Sequence, residues 1–489
     1  MSIDSELRLD AVARVVGEEE NPYLLGIYAP VTSEITAEDL QVRGEIPRDL
    51  NGVYLRNGPN RRYDAPGRYH WFDGDGMIHA IHFENGKARY QNRWVRTEAF
   101  KAEEKAGGSL WSGVLENAVD NPFGNTHGLG IKDSANTDLI HYRGRALATW
   151  YLCGTPMSID PLSLATIGAE DFLGTFTGDM MAHPKTDERT GELFWFDYGP
   201  KAPYLRYGVA GADGRISHET AIDLPGPRLP HDMAITDRYA VLMDLPLIQD
   251  EAARQAGRYK IHFEASMPSR FAVLPRYSSD QSQVRWFEAS PCYIYHVVNA
   301  WEEGDEIVMD VCRMRQGQHG RAAVKTPLAQ MLSYLKMDAR LWRYRFNLTT
   351  GQTTEGPRDD DNTEFPSIDT RVVGQRNRYT YNAHIADGDT VLFDGIVRYD
   401  LQSGDAERYF YGEGRWGSES PFAPRDGSTG EDDGYLVSFV TDERDGTSVV
   451  EVLDASDIAA GPVATITLPQ RVPLGFHATW IRRDQLNGA

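Results

Sequence analysis

Cysteine is scarce in this chain, and several other features are missing altogether. Its 489 residues include three cysteines, Cys153, Cys292 and Cys312, and no two of them form a CxxC pair. An odd number of cysteines without paired spacing argues against a disulfide framework and fits a reducing compartment. No run of about 18 apolar residues occurs, so we expect no membrane-spanning helix. Residues 1–10 carry acids and no apolar core, which does not resemble a secretory signal, and we expect a cytoplasmic protein.

Basic residues are also in deficit. The chain carries 50 Lys and Arg against 72 Asp and Glu, a formal charge of −22. Such a surface repels phosphate backbones, so we expect no nucleic-acid partner. Anionic lipid is disfavoured for the same reason, although a local apolar patch would still allow peripheral membrane contact. The hydrophobic content of 41%, with 11% aromatic residues, suffices for a large core.

Short strands interrupted by Gly, Asp and Asn dominate the pattern. We predict strands over 191–198 and 239–245, and hairpins over 293–314 and 434–453. Strands at this spacing, with few helical stretches between them, indicate an all-β barrel, sandwich or propeller. No linker is evident, so we expect residues 1–20 to be loosely ordered and residues 21–489 to form a single domain.

Two helices are predicted. Thr326 is placed to cap one of them, Pro327 suits its first turn, and apolar residues at helical spacing continue to residue 335. A second, shorter helix is predicted over 251–258.

Four of the 13 histidines have distinctive neighbours. They are His183 in MAHPK, His231 in PHDMA, His296 in YIYHVVNAWE and His477 in PLGFHATW. Further distinctive segments are RGEIP at 43–47, LRNGPN at 55–60 and HWFDGDGM at 70–77. In this order, over residues 21–480, the chain resembles the carotenoid cleavage oxygenase family, which also contains stilbene-cleaving and isoeugenol-cleaving enzymes.

The resemblance implies a seven-bladed β-propeller, with a dome of loops and helices over one non-haem Fe(II) on the axis. His183, His231, His296 and His477 would hold the metal. Imidazole suits iron, copper, zinc and nickel, and four ligands on an octahedral iron leave two positions open. By ligand chemistry alone, four histidines would equally suit a closed tetrahedral zinc site.

The resemblance also implies residues that support the ligands. Glu364 in NTEFP and Glu419 in SESPFAP match two of three glutamates that accept hydrogen bonds from ligand imidazoles. Leu152, in WYLCGTP at 150–156, falls at the place of the third glutamate. Leucine accepts no hydrogen bond, so one ligand, which we expect to be His231, needs another acceptor. Thr137 matches a residue that lies beside the iron in many members, and it is the candidate catalytic residue.

Members that cleave phenolic stilbenes hold the phenol oxygen with a Tyr and a Lys. Here the Tyr position falls near Val114 or Leu115, and Tyr151 occupies the Lys position. A site without buried partners for a hydroxyl selects weakly for it. An apocarotenoid or another apolar conjugated alkene is therefore the expected substrate.

The function implied is that of an iron(II) dioxygenase that uses O2 to split a conjugated C=C bond into two carbonyls. Two alternatives stay open at this point. One is an isomerohydrolase-like enzyme whose iron acts as a Lewis acid. The other is a catalytically inactive propeller that binds a ligand.

Overall fold

Seven antiparallel sheets surround a central cavity in the computed structural model, which describes residues 21–64, 67, 69–114, 131–256, 260–315, 337–388 and 390–486. The sheets are the blades of a β-propeller, as the resemblance implies. The first strand of each blade lines the cavity, so these seven strands are the innermost ones. The helix predicted to begin near Thr326 lies outside the described residues.

Blades 2 to 6 are each built from strands that follow one another along the chain, ordered outward from the axis. Blade 2 comprises Asp138–Tyr142, Arg145–Thr149, Met157–Ile159 and Thr166–Ala169. Blade 3 comprises Lys185–Asp187, Glu192–Tyr198, Leu205–Ala210 and Ile216–Ile222. Blade 4 comprises Ala234–Ile235, Tyr239–Asp244, Ser269–Pro275 and Arg285–Ala289, with an inserted hairpin of Leu247–Gln249 and Ile261–Phe263. Blade 5 comprises Ile294–Glu303, Glu306–Met314, Ala339–Asn347 and Thr353–Pro357. Blade 6 comprises Thr363–Ser367, Tyr379–Ile385, Phe393–Asp400 and Ala406–Phe410.

Blades 7 and 1 combine strands from both halves of the chain. Blade 7 comprises Phe422–Pro424, Gly434–Asp442, Ser448–Asp454, Pro462–Thr467 and, outermost, Gln41–Gly44; Arg415–Trp416 also pairs with its second strand. Blade 1 comprises Ala478–Arg482, Gly52–Arg56, Asp75–Glu84, Lys87–Trp94 and Thr36–Ala37, with Pro59–Asn60 pairing along Asp75–Glu84. The pairing of Gly52–Arg56 with Ala478–Arg482, in which Val53 faces Ile481, closes the ring.

The middle strands are apolar on both faces because each blade packs between two others. In Gly434–Asp442, every residue but the last is buried. Such continuous apolar runs are typical of strands that are covered on both sides. The predicted hairpins are confirmed: Ile294–Glu303 and Glu306–Met314 turn at Gly304, whose φ of +61° suits glycine.

Helices are few and short in the described part of the chain. The α-helices are Glu98–Ala106, Glu251–Gln255 and Arg483–Leu486, and the 3-10 helices are Pro22–Leu24, Gly26–Tyr28, Trp71–Asp73, Gln281–Gln283, Thr370–Val372 and Ile458–Ala460. Thr97 caps the first α-helix through its side chain, and Gly107 ends it in the left-handed region. The helix predicted over 251–258 is described only to Gln255. Among the described residues, no helix is long and apolar enough to span a bilayer.

Replacing Ile481 by Ala is expected to destabilise the ring closure. Ile481 is fully buried and packs with Val53, Leu55 and Ile78. Truncating such a side chain leaves a cavity, so the free energy of unfolding should fall by about 2–5 kcal/mol. Chemical denaturation measures this change. In Val463→Ala, which alters a residue that is 38% exposed, the change should stay within about 0.5 kcal/mol. Equal stability of the two variants would contradict the packing role of Ile481.

Candidate metal centre

Each of the seven blades brings one histidine or acid to the same end of the cavity. Every one of these residues lies within three positions of the start of its innermost strand. In blade order from 1 to 7 they are His477, Asp138, His183, His231, His296, Glu364 and Glu419. We call this set the axial ring.

The four histidines of the axial ring converge. Nε2 of His183 lies 3.2 Å from Nε2 of His231. The ring centroids of His183 and His296 each lie within 5.0 Å of the centroid of His477, at 4.5 and 4.6 Å. The centroid of His231 lies 5.3 Å from that of His296. One ligand atom from each of His183, His296 and His477 lies within 4.8 Å of the other two. The structure thus brings together all four histidines singled out in the sequence.

Both predicted glutamates lie beside a histidine and are buried. Oε2 of Glu364 lies 2.5 Å from Nδ1 of His296, and this side chain is fully buried. Glu419 is farther from its histidine, since its two oxygens lie 3.4 and 3.3 Å from Nδ1 of His477. That is longer than the 2.7–3.2 Å of an ordinary N–H···O bond. The same carboxylate accepts the backbone N–H of Ala478, which fixes it at the start of the neighbouring strand.

A third carboxylate, that of Asp138, was missed by the sequence reasoning. Its Oδ2 lies 2.7 Å from Nδ1 of His183. The sequence signal was slight, because one acid among 72 at the start of a strand is usually a solvated turn residue. The position next to Thr137, one blade before His183, would have singled it out once the blades were known.

His231 differs from the other three histidines. Within the described part of the chain, no side chain or carbonyl accepts a hydrogen bond from its Nδ1. The edge of the Tyr295 ring packs against it, with 5.2 Å between centroids. Leu152, expected in place of a glutamate, lies in an apolar cluster with Trp150 and Tyr151.

Thr137 is buried next to Asp138 and links two blades. Its hydroxyl donates to Asn136 Oδ1 at 3.1 Å and accepts the N–H of Tyr151 at 3.0 Å. Its carbonyl accepts the N–H of His477 at 3.2 Å. These bonds place it at the start of the strands that carry Asp138 and His477. A catalytic role for Thr137 stays a prediction.

Burial keeps three of the histidines neutral. It lowers the pKa of His231 to about 3 and lowers the pKa of His183 and His296 well below the usual value. For His477, burial also lowers the pKa, but the carboxylates of Glu419 and Asp138 outweigh it and the pKa rises. Neutral imidazole is the form that binds metals.

The donor set fits a divalent transition metal. Nε2 of His296 is buried and has no hydrogen-bond partner among the described residues, while its Nδ1 bonds to Glu364. Two nitrogens bound about 2.1 Å from one metal at a right angle lie about 3 Å apart. The separation of the Nε2 atoms of His183 and His231, 3.2 Å, fits this spacing. The residues present therefore suit a metal held by four imidazoles.

A buried ion pair holds the segments that carry three of these histidines. Oδ1 of Asp232 lies 2.7 Å from Nζ of Lys185, and Asp232 is almost fully buried. The same carboxylate accepts the backbone N–H groups of Met233 and Val297, each at 2.7 Å. Lys185 follows His183 by two residues, Asp232 directly follows His231, and Val297 directly follows His296. Three neighbouring blades are thus fastened to one carboxylate.

Comparison with known proteins agrees with this fold and site. The family model described as retinal pigment epithelial membrane protein matches residues 28–482. The chain is 37% identical to carotenoid 9,10(9',10')-cleavage dioxygenase 1 of Arabidopsis thaliana, over 95% of this chain and 90% of the relative. It is 33% identical to a carotenoid cleavage oxygenase of Mycobacterium tuberculosis, over 95% and 98%.

Solved structures are similar along most of the chain. The lignostilbene dioxygenase of Pseudomonas brassicacearum superposes with a TM-score of 0.84 at 28% identity, covering 95% of this chain and 99% of that one. A cobalt-substituted form of the Synechocystis enzyme ACO gives a TM-score of 0.78 at 25% identity, over 93% and 96%.

A propeller with a histidine-rich axial centre, similar to oxygenases along nearly its whole length, defines an oxidoreductase of the dioxygenase class. The chain belongs to the carotenoid cleavage oxygenase family.

Removing the Glu364 carboxylate is expected to weaken metal binding. Glu364→Ala leaves Nδ1 of His296 without its acceptor, and loss of such a partner typically lowers metal affinity 10–100-fold. Chelator competition with Fe(II) measures the affinity. Glu451→Gln is the matched control, because Glu451 is a buried acid of blade 7 that pairs with Arg415. An equal loss of affinity in both variants would show a general effect on folding.

Breaking the Lys185–Asp232 pair is expected to destabilise the metal-free protein. Lys185→Met leaves a buried carboxylate without its cation, a change that typically costs about 3–5 kcal/mol. Denaturant unfolding of the apoprotein measures the loss. The double variant Lys185→Met/Asp232→Asn removes the unpaired charge and should recover part of the stability. If the single variant is as stable as the parent, the pair does not fasten the three blades.

Proposed function

We propose that this protein is an iron(II) dioxygenase that cleaves a conjugated C=C bond of an apocarotenoid or related aryl alkene into two carbonyl products. The observation that carries the proposal is the convergence of four imidazoles, three of them buried, in a chain similar to named cleavage dioxygenases. Each product takes one atom of O2, so the alkene and one dioxygen account for every atom of the two carbonyls. The partners are a small apolar alkene and O2.

The residues of the axial ring would hold iron and tune it. The four ligands are neutral imidazole nitrogens, so they do not offset the charge of the ion: His183, His231, His296 and His477. When bound, iron supplies a redox centre that activates dioxygen. Thr137 is proposed to restrict one of the open positions beside it. The supporting carboxylates hold the imidazole Nδ1–H groups and leave the Nε2 atoms directed inward.

Aromatic side chains beside the imidazoles favour an apolar substrate. Phe365 stacks on His477, with 4.5 Å between ring centroids and 23° between planes. Phe476, which precedes that histidine, packs against Phe72 at 5.4 Å, and Phe72 packs against Tyr151 at 4.6 Å. Such surfaces exclude water and contact a polyene or an aryl alkene along its length.

Isotope labelling tests the reaction. Cleavage under ¹⁸O2 should place one heavy oxygen in each of the two carbonyl products, read by mass spectrometry after rapid reduction of the aldehydes. A reaction in which iron serves only as a Lewis acid would incorporate no label from O2. Iron-loaded protein that turns over no alkene in a panel of apocarotenals, stilbenes and phenylpropenes would support a binding protein instead.

Substrate preference is expected to be insensitive to a phenolic hydroxyl. Tyr151, at the position where phenol-cleaving members carry a Lys, and Val114, one of two candidates for the Tyr position, are buried in one apolar cluster. The other candidate, Leu115, lies outside the described residues. The ratio of kcat/KM for matched stilbenes with and without the 4-hydroxyl should therefore stay below about 100, or about 2.7 kcal/mol. A larger ratio would mean that a polar group such as the Tyr151 hydroxyl binds the phenol.

We also propose a cytoplasmic location. All three cysteines are free and buried, which suits a reducing compartment. Fractionation of the host cell tests this and, through the membrane pellet, peripheral membrane contact as well.

A further inference from the structure

We infer that Asp138 is a positioning residue that orients His183 for metal binding and is the third supporting carboxylate of the axial ring. The inference rests on the proposed metal site, but it does not depend on which alkene is cleaved. The sequence resemblance supplies only two supporting acids, Glu364 and Glu419, and leaves the third place to Leu152.

Asp138 is rigidly placed. It is the first residue of the innermost strand of blade 2 and is only 7% exposed. Oδ2 lies 2.7 Å from Nδ1 of His183, and Oδ1 accepts the N–H of Leu139 at 2.7 Å. The Asn57 amide donates to the carbonyls of Ala135 and Asp138, at 2.8 and 3.3 Å, which fixes the backbone that leads into the strand. Both carboxylate oxygens therefore have defined partners before any metal binds.

The hydrogen bond between Asp138 and His183 determines which nitrogen of His183 faces the metal. Because a carboxylate holds Nδ1–H, the lone pair is on Nε2, the atom that lies 3.2 Å from Nε2 of His231. His183 is 3% exposed, so without Asp138 its Nδ1–H would be buried without an acceptor. The imidazole would then lose both its orientation and its preferred tautomer.

The geometry repeats that of the two predicted supports. Each of the three carboxylates lies on a blade adjacent to that of its histidine: Asp138 beside blade 3, Glu364 beside blade 5 and Glu419 beside blade 1. The Asp138 contact is as short as an ordinary charge-assisted bond, whereas the Glu419 contact is longer.

The test measures cobalt binding by the whole protein, using Asp138→Ala and Asp138→Asn. Co(II) is the probe because its visible absorption bands report ligand geometry directly. We expect Asp138→Ala to release cobalt to a chelator with 10–100-fold lower affinity than the parent and with altered bands. In Asp138→Asn the amide oxygen still accepts the bond but lacks the charge, so its affinity should fall between the two.

Asp310→Asn is the control. Asp310 is a fully buried acid that forms two bonds with Arg343, away from the axial ring. It should lower the stability of the apoprotein but leave the cobalt affinity and spectrum unchanged.

The outcomes separate this inference from the proposed function. If Asp138→Ala binds cobalt within threefold of the parent and with the same spectrum, Asp138 does not position His183, whatever the protein cleaves. If Asp138→Ala does not fold, Asp138→Asn decides, and parental affinity together with the parental spectrum overturns the inference. Suppose that the parent binds cobalt, that both variants bind it more weakly, and that the iron-loaded parent cleaves no alkene. The role of Asp138 would then be upheld and the proposed function would be wrong. A parent that binds no cobalt overturns the inference.

Discussion

Four imidazoles crowded together at one end of the cavity are the constraint on which the rest of this structure depends. The Nε2 atoms of His183 and His231 lie 3.2 Å apart, close enough to share one metal ion. The buried N–H groups on the outer side of the imidazoles then need acceptors. Three of the histidines have such an acceptor in the axial ring, because each lies beside a blade that carries an acid. The Lys185–Asp232 pair and the bonds to Val297 and Met233 keep the backbone from spreading.

Blade order explains why His231, within the described residues, lacks the supporting carboxylate that the other three histidines have. Each carboxylate reaches only the histidine of an adjacent blade, because neighbouring innermost strands are the closest parts of the ring. His183 and His296 each have an acid on one side, and His477 has one on both sides. His231 is on blade 4, between blade 3 with His183 and blade 5 with His296, so neither neighbouring strand start offers it an acceptor. Its surroundings among the described residues are instead aromatic, with Tyr295 against the ring.

Local signals predicted the local structure well. The turn residues around Gly304 placed the hairpin of blade 5 to within a residue. The short strands interrupted by Gly, Asp and Asn also predicted the all-β class. They did not predict the number of blades, because blade packing leaves no repeat in the sequence. That number came from the family resemblance. The four histidines and two glutamates were likewise recognised by their neighbours in sequence. Asp138 directly follows Thr137, but its role arises from a contact across 45 residues that only the placement of two blades reveals. Leu152 indicated that one supporting glutamate of the family is missing, but it did not indicate that Asp138 is a supporting acid elsewhere in the chain.

The two strands that close the ring are synthesised at very different times. Gly52–Arg56 and Ala478–Arg482 pair across more than 400 residues of sequence, and His477 directly precedes the second of these strands. During synthesis the first strand leaves the ribosome long before its partner exists. Blades 2 to 6 are local in sequence and can form as they emerge, whereas blade 1 must wait. A nascent chain would therefore display three of the four imidazoles without the last one, and a full set of ligands would exist only after the propeller had closed.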